Sequence, residues 1–112
     1  MVAKKIVWLL EAVHDLEEIV RYIERRSPSY ASVVAARILE TVERLSDFPG
    51  IGGIIAEDDS GRHRHLVCYH YRIIYRVEGS YVCIIAVVHG ARELPGEILL
   101  RRRPARKRNN GA

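Results

Sequence analysis

Histidines and arginines gather in the second half of the chain, at spacings that could support proton transfer beside a phosphate group. They lie in three short stretches, which are His63-Arg64-His65, His70 with Arg72, and His89 with Arg92. Imidazole can hold or release a proton near neutral pH, and guanidinium groups can balance the charge that builds on phosphorus when RNA is cleaved. The same arginines would also suit binding without catalysis, or an ordinary solvated surface.

A metal site is the first alternative for these side chains, because His63, His65, Cys68 and His70 combine borderline and soft ligands. Alternation along a strand argues against it, since the first two residues point to one face and the last two to the other. We therefore predict no metal ion and no cofactor. Cys68 and Cys83 stand among apolar, strand-like residues and are interpreted as free, small core residues in a reducing cytoplasm.

The same alternation sorts residues 71–77. Arg72 and Arg76 share one face of this segment, whereas its tyrosines share the other. Because the tyrosine face is the better core, we expect the two arginines on the more exposed side, with Arg76 facing water. On that expectation Arg76→Ala would cost little stability.

The elements that must position these side chains can be predicted from periodicity. Residues 2–10 are rich in β-branched and aromatic types and predict a strand. Apolar residues at helical spacing predict a helix over residues 11–25 and a second helix from Ser29, as its N-cap, to Pro49-Gly50. The two helices should form an antiparallel hairpin whose buried stripes include Ile19 and Ile38.

After an irregular connection over residues 51–62, three more strands are predicted, at residues 65–68, 71–77 and 81–89. Residues 82–88 are apolar at every position, so this strand should be central and covered on both faces. The predicted fold class is α/β (α+β), with the order β-α-α-β-β-β and the helical hairpin packed on a mainly antiparallel sheet.

Charge is unevenly distributed along the chain. Of the 18 basic residues, six lie in residues 101–112, which leaves 12 against 14 acidic residues and a net charge of −2 for residues 1–100. We predict a single domain over residues 1–100 and a basic, disordered tail over 101–112 that could hold a phosphate backbone. No apolar run is long enough for a membrane span, and a cytoplasmic protein is expected.

Four stretches, in this order, resemble the RelE/ParE superfamily of toxins from type II toxin–antitoxin systems, which includes plasmid stabilisation proteins. They read WLLEAVHDLEEIVRYI at residues 8–23, LSDFPG at 45–50, YRIIYRV at 71–77 and VVHGARELP at 87–95. The resemblance implies a compact sheet with a helical hairpin and a cognate antitoxin as partner. The long hairpin and the ending of the last stretch are more similar to the ParE-like branch, whose members inhibit DNA gyrase.

The RelE-like branch, which cleaves mRNA on the ribosome without a metal, is the alternative. For it the resemblance implies Arg72 as phosphate clamp, Arg92 as charge stabiliser and His89 or His65 as proton carrier, with Arg64 near the position of the paired lysines. This chain has no lysine there and no match for the late tyrosine of the RelE motif. An inactive relative that only binds an antitoxin or regulates its own operon is a third reading, and a homodimer is possible.

Overall fold

The computed structural model describes residues 2–104 and contains five strands and three helices. In chain order these are β1 (Lys5–Trp8), α1 (Leu10–Glu24), α2 (Pro28–Glu43), β2 (Gly53–Ile54), β3 (His63–Cys68), β4 (Tyr71–Glu78), β5 (Tyr81–His89) and α3 (Gly96–Leu99). A 3-10 turn at Arg44–Ser46 follows α2. The mixed α+β architecture and the helical hairpin agree with the sequence prediction.

One sheet holds all five strands, in the order β1-β5-β4-β3-β2. β1 runs parallel to β5, and the other three pairs are antiparallel. The uniformly apolar β5 is an inner strand, as predicted, and every residue from Val82 to Val88 is buried. β2 was not predicted, because its two residues lie inside the Gly-rich connection and carry no alternating pattern.

The helical hairpin packs its predicted stripe on one face of the sheet. Ala31, Val34, Ile38 and Val42 are the buried residues of α2. The start of α2 differs from the prediction, since Ser27 and not Ser29 is the N-cap and its Oγ accepts a hydrogen bond from the amide of Tyr30. Pro28 then occupies the first turn, where its missing N–H costs nothing.

Two segments cover the opposite face of the sheet. One is the irregular stretch of residues 55–58, and the other is residues 94–104, which include α3 and which we call the C-terminal segment. Leu94 and Ile98 of this segment are buried, and the carbonyl of Arg101 accepts a hydrogen bond from Arg76 of β4. The arginines of β4 do lie on a different face from the helices, but the expectation that this face is exposed was wrong. Arg72 is 9% and Arg76 is 5% exposed.

Part of one edge of β5 has no partner strand, because β1 pairs only with Tyr81–Ile84. The backbone groups along the rest of that edge need other hydrogen-bond partners. Asp15 of α1 accepts a hydrogen bond from the amide of Val87, and Arg101 donates one to the carbonyl of Ile85. Arg101 also pairs with Asp15 at 2.8 Å. Ordered contacts therefore continue past residue 100, and Arg103 lies over the ring of Tyr81. Residues 105–112 of the predicted tail lie outside the described residues.

Among the described residues, no helix has the length and apolar composition needed to cross a bilayer.

We expect Ile38→Asp to unfold the domain and Leu39→Asp to leave it folded. Ile38 is fully buried against the sheet, whereas its neighbour Leu39 is 47% exposed. Burying an unpaired carboxylate costs several kcal/mol, on the order of the whole stability of a small domain. Urea unfolding followed by circular dichroism measures both variants, and equal midpoints would mean that α2 packs in another orientation.

Candidate functional site

Arg72 and His65 face each other across β3 and β4 and form the centre of the first polar cluster. Arg72 Nε donates to His65 Nδ1 at 2.9 Å, and its two terminal nitrogens each lie 3.4 Å from a carboxylate oxygen of Glu57. Glu57 belongs to the segment that covers this face. Each of the three nitrogens of the guanidinium thus has an acceptor in the same chain.

The electrostatics of this cluster fix the protonation state of the imidazole. Burial, and then the positive charge of Arg72, lower the pKa of His65. The hydrogen bonds from Arg72 lower the pKa of Glu57. Since Nδ1 of His65 accepts from Arg72, the proton of the neutral ring is on Nε2, which faces Gly53. His65 therefore has no unoccupied basic nitrogen with which to take a proton.

Arg64 lies on the other face of β3, away from this cluster. Its Nη1 donates to the carbonyl of Gly52 at 2.7 Å. The hydroxyl of Tyr75 donates to the carbonyl of Pro49 and accepts from the amide of Gly52. A Cβ at residue 52 would come within 2.8 Å of the Tyr75 ring and its hydroxyl, so this close approach requires glycine. Arg64 and Tyr75 together hold the loop that leads into β2.

His89 and Arg92 lie at the end of β5, apart from both other groups. The ring of His89 stacks on His70 at 6.3 Å and meets Tyr71 edge-on at 5.8 Å. Both His89 and Arg92 are exposed. They line a cavity of about 720 Å³ between α1 and the end of β5, whose walls also include Tyr22 and Tyr71. The five predicted site residues are therefore split among three places, and only Arg72 and His65 are joined.

Exposed aromatic side chains collect beside this cavity, a feature that sequence reasoning missed. Tyr69 packs edge-on against Tyr30 at 6.2 Å, and the pKa of Tyr71 is raised by burial and then by the hydroxyls of Tyr30 and Tyr22. Tyr69 has φ +55°, which is costly for a residue other than glycine. The equivalent turn between β4 and β5 has Gly79, with φ +58°. We call Tyr22, Tyr30, Tyr69, Tyr71, His70 and His89 the aromatic end.

A second charge network, also missed, surrounds Arg76. Its Nε donates to Glu78 at 2.6 Å, and its Nη1 lies 3.1 Å from Nε2 of His63 and 3.2 Å from the carbonyl of Arg101. Nδ1 of His63 lies 2.8 Å from Asp58. Because Arg76 can only donate, Nε2 of His63 accepts its hydrogen bond. The N–H group of His63 is then at Nδ1 and donates a hydrogen bond to Asp58. His63 is 5% exposed, so its side chain is not on a solvated strand edge.

The remaining candidates do not form a reactive centre. Cys68 and Cys83 are buried and unpaired, as expected for small core residues, and burial raises the pKa of Cys83. Within residues 2–104, no three His, Cys, Asp or Glu side chains come together in a way that could hold a metal ion.

Known proteins resemble this chain in sequence and in fold. The family model of the ParE toxin of the type II toxin–antitoxin system, parDE, matches residues 6–94. The toxin candidate Y4kP of Sinorhizobium fredii is 36% identical over 95 residues, covering 85% of this chain and 97% of that protein.

Two solved structures share the fold at low sequence identity. A chromosomal ParDE toxin–antitoxin system from P. aeruginosa has a TM-score of 0.65 and 21% identity, covering 78% of this chain and 96% of that chain. The RelBE2 toxin–antitoxin complex from Mycobacterium tuberculosis has a TM-score of 0.55 and 20% identity, covering 79% and 99%.

The burial of His65 beside the positive charge of Arg72 should make stability depend on pH. The pKa of His65 is lowered from its ordinary 6.5 in the folded protein, so its contribution is complete above pH 6.5 and is lost as the pH falls toward the lowered value. We expect His65→Asn, which keeps an acceptor near the Nδ1 position, to flatten this fall in the free energy of unfolding. Urea melts at a series of pH values measure it. The other histidines are unchanged, so identical pH profiles would exclude a role for His65.

Arg76→Ala should destabilise the protein, contrary to the expectation from the sequence. The substitution leaves Glu78, His63 and the carbonyl of Arg101 without their donor, at a cost of roughly 2–3 kcal/mol. Arg37→Ala is the matched control, because Arg37 forms an exposed ion pair with Glu40 that is worth about 0.5 kcal/mol or less. If urea melts gave both variants the same stability, the network around Arg76 would contribute nothing.

Proposed function

Because the chain belongs to the ParE toxin family of type II toxin–antitoxin systems, we propose that it stops growth by binding DNA gyrase and not by cutting RNA. Family membership confirms the resemblance seen in the four sequence stretches and makes the chain the toxin component of such a system. The molecular target of the toxin has to be inferred from the geometry of the site. Gyrase inhibition would take place in the cytoplasm, where the chromosome lies.

The observation that carries this proposal is that the basic side chains of the sheet are already bound within the chain. Arg72 is held by His65 and Glu57, and Arg64 by the carbonyl of Gly52. A nuclease needs guanidinium groups that can receive the charge on the phosphate and an imidazole with an unoccupied nitrogen. Neither Arg72 nor His65 meets that need without breaking its hydrogen bonds, so this cluster supports the fold and not RNA cleavage.

Inhibition by binding needs a different surface, with rigid aromatic and basic side chains that can contact a protein. Tyrosine and arginine are enriched among the residues that dominate binding energy at protein interfaces. The aromatic end has these properties, since Tyr22, Tyr30 and Tyr69 are 42–59% exposed and Arg26 lies over the ring of Tyr22. We propose that the gyrase contact includes this end of the molecule.

A cognate antitoxin is the second partner that we propose. The solved relative from Mycobacterium tuberculosis is a complex of toxin and antitoxin, and the one from P. aeruginosa is likewise a ParDE system. An antitoxin must outcompete the target for the toxin in order to neutralise it.

A ribosome-dependent mRNA endonuclease is the competing function, and one observation favours it. His89 and Arg92 are exposed beside the same cavity, and neither forms an ion pair with a carboxylate among the described residues. Proton transfer by His89 and charge stabilisation by Arg92 are therefore sterically open to a substrate. Gyrase binding remains the preferred function because the family model that matches residues 6–94 is that of the ParE toxin.

The purified toxin should inhibit gyrase supercoiling and leave mRNA on ribosomes intact, and His89→Ala should make no difference to the mRNA. A proton carrier in RNA cleavage is worth about 100-fold or more in rate, whereas an exposed residue at the end of a strand is not. Supercoiling assays and primer extension on ribosome-bound mRNA provide the two readouts.

The control for this experiment is His14→Ala, which removes an exposed histidine of α1 that does not line the cavity. Cleavage of mRNA that disappears in His89→Ala but persists in His14→Ala would establish the nuclease function and overturn the gyrase proposal.

A further inference from the structure

We propose that this protein binds a phosphate-type oxyanion in a small cavity on the sheet face opposite the helices. The cavity has a volume of about 140 Å³ and lies between β3, β4 and the C-terminal segment. Its polar lining consists of Asp58, Ser60, Arg62, His63, Arg76 and Arg102. It shares no lining residue with the cavity beside His89 and Arg92, so the site is independent of the proposed gyrase contact.

The buried guanidinium of Arg76 supplies the first argument. Its Nε and Nη1 are engaged by Glu78, His63 and the carbonyl of Arg101, but its buried Nη2 has no acceptor among the described residues. An unsatisfied N–H in the interior is unfavourable, and a guanidinium pairs well with phosphate oxygens in a bidentate arrangement. Nη2 of Arg76 is therefore a buried donor without an acceptor, on a side chain that lines the cavity.

The charge balance around the cavity supplies the second argument. Arg62 and Arg102 stand at its exposed margin, and within residues 2–104 neither forms an ion pair. Asp58 is the carboxylate of the lining, but both its oxygens already accept hydrogen bonds, one from Ser60 and the other from His63. Those hydrogen bonds, led by that of the Ser60 hydroxyl, hold the pKa of Asp58 far below its usual range.

Arg76 is already paired with Glu78, so within residues 2–104 the uncompensated positive charge of the lining is that of Arg62 and Arg102, and Asp58 is hydrogen-bonded within its own loop. His63 adds no positive charge, because its Nε2 accepts from Arg76 and its single proton points to Asp58. An anion bound between the arginines would balance this excess and satisfy Nη2 of Arg76. Arginine is also the side chain best suited to the fork-like geometry of phosphate recognition.

The size of the cavity limits the ligand. A volume of about 140 Å³ is several times what one water molecule needs and is small beside the cavity of about 720 Å³ at the end of β5, so it suits one tetrahedral oxyanion. Inorganic phosphate fits entirely, and a phosphate group of a nucleic acid would fit with the rest of its chain outside. The shared chemistry is a single phosphate group, and the experiment distinguishes its two sources.

Isothermal titration of the full chain with sodium phosphate, at constant ionic strength set with sodium chloride, tests the site. We expect saturable binding, together with a melting temperature that rises with phosphate but not with chloride. Arg62→Gln and Arg102→Gln should each weaken binding tenfold or more without loss of folding, because both side chains are exposed. Arg37→Gln is the control for the loss of one charge, and the basic residues of 105–112 are present in every variant.

The source of the phosphate group is tested by competition. Binding of a labelled single-stranded oligonucleotide that is displaced by phosphate and weakened in Arg62→Gln and Arg102→Gln would assign the site to nucleic-acid phosphate. Phosphate binding with no such oligonucleotide binding would assign it to the free anion. No saturable phosphate binding, an equal effect of chloride, or equal binding by Arg62→Gln, Arg102→Gln and Arg37→Gln would each overturn the proposal.

Discussion

The structure depends on one strand that has no polar face. Val82 to Val88 of β5 are apolar without interruption, so neither side of that strand can face water. Helices α1 and α2 cover one side, and the other is covered by residues 55–58 and the C-terminal segment, of which Leu94 and Ile98 are buried. The same strand leaves a backbone edge beyond β1, and Asp15 and Arg101 satisfy its exposed amide and carbonyl. The packing of the C-terminal segment follows from these needs.

Covering the second face has an electrostatic consequence for β4. Arg72 and Arg76 point to that side, and once it is covered each guanidinium must find acceptors within the chain. Glu57 of the covering segment supplies a carboxylate to Arg72, and Glu78 of β4 supplies one to Arg76. His65 and His63 of β3 supply ring nitrogens, and Asp58 of the covering segment accepts from His63. Arg72 with His65 and Arg76 with His63 are thus paired in two networks, of which the first contains one carboxylate and the second contains two.

This explains which parts of the molecule could be predicted. The helical stripe through Ile38, the inner position of β5 and the antiparallel β3-β4-β5 meander follow from periodicity, which is a local property. The environment of Arg76 could not be predicted, since it depends on residues 58 and 101, far away along the chain. Of the candidate site, alternation correctly placed Arg72 and Arg76 on one face of β4, but it could not reveal which segment of the chain covers that face.

Arg64, Arg72 and Arg76 are hydrogen-bonded within the chain. The end of β5 is the part of the candidate site whose side chains are exposed to a partner. Tyr69 there keeps a φ of +55° at a turn position where the neighbouring hairpin has Gly79. Such a conformation costs on the order of 1 kcal/mol for a residue with a Cβ. A glycine would avoid that cost but would lose the ring that packs on Tyr30. The fold therefore tolerates strain to hold an aromatic side chain at the surface, an arrangement that serves recognition of a partner better than proton transfer.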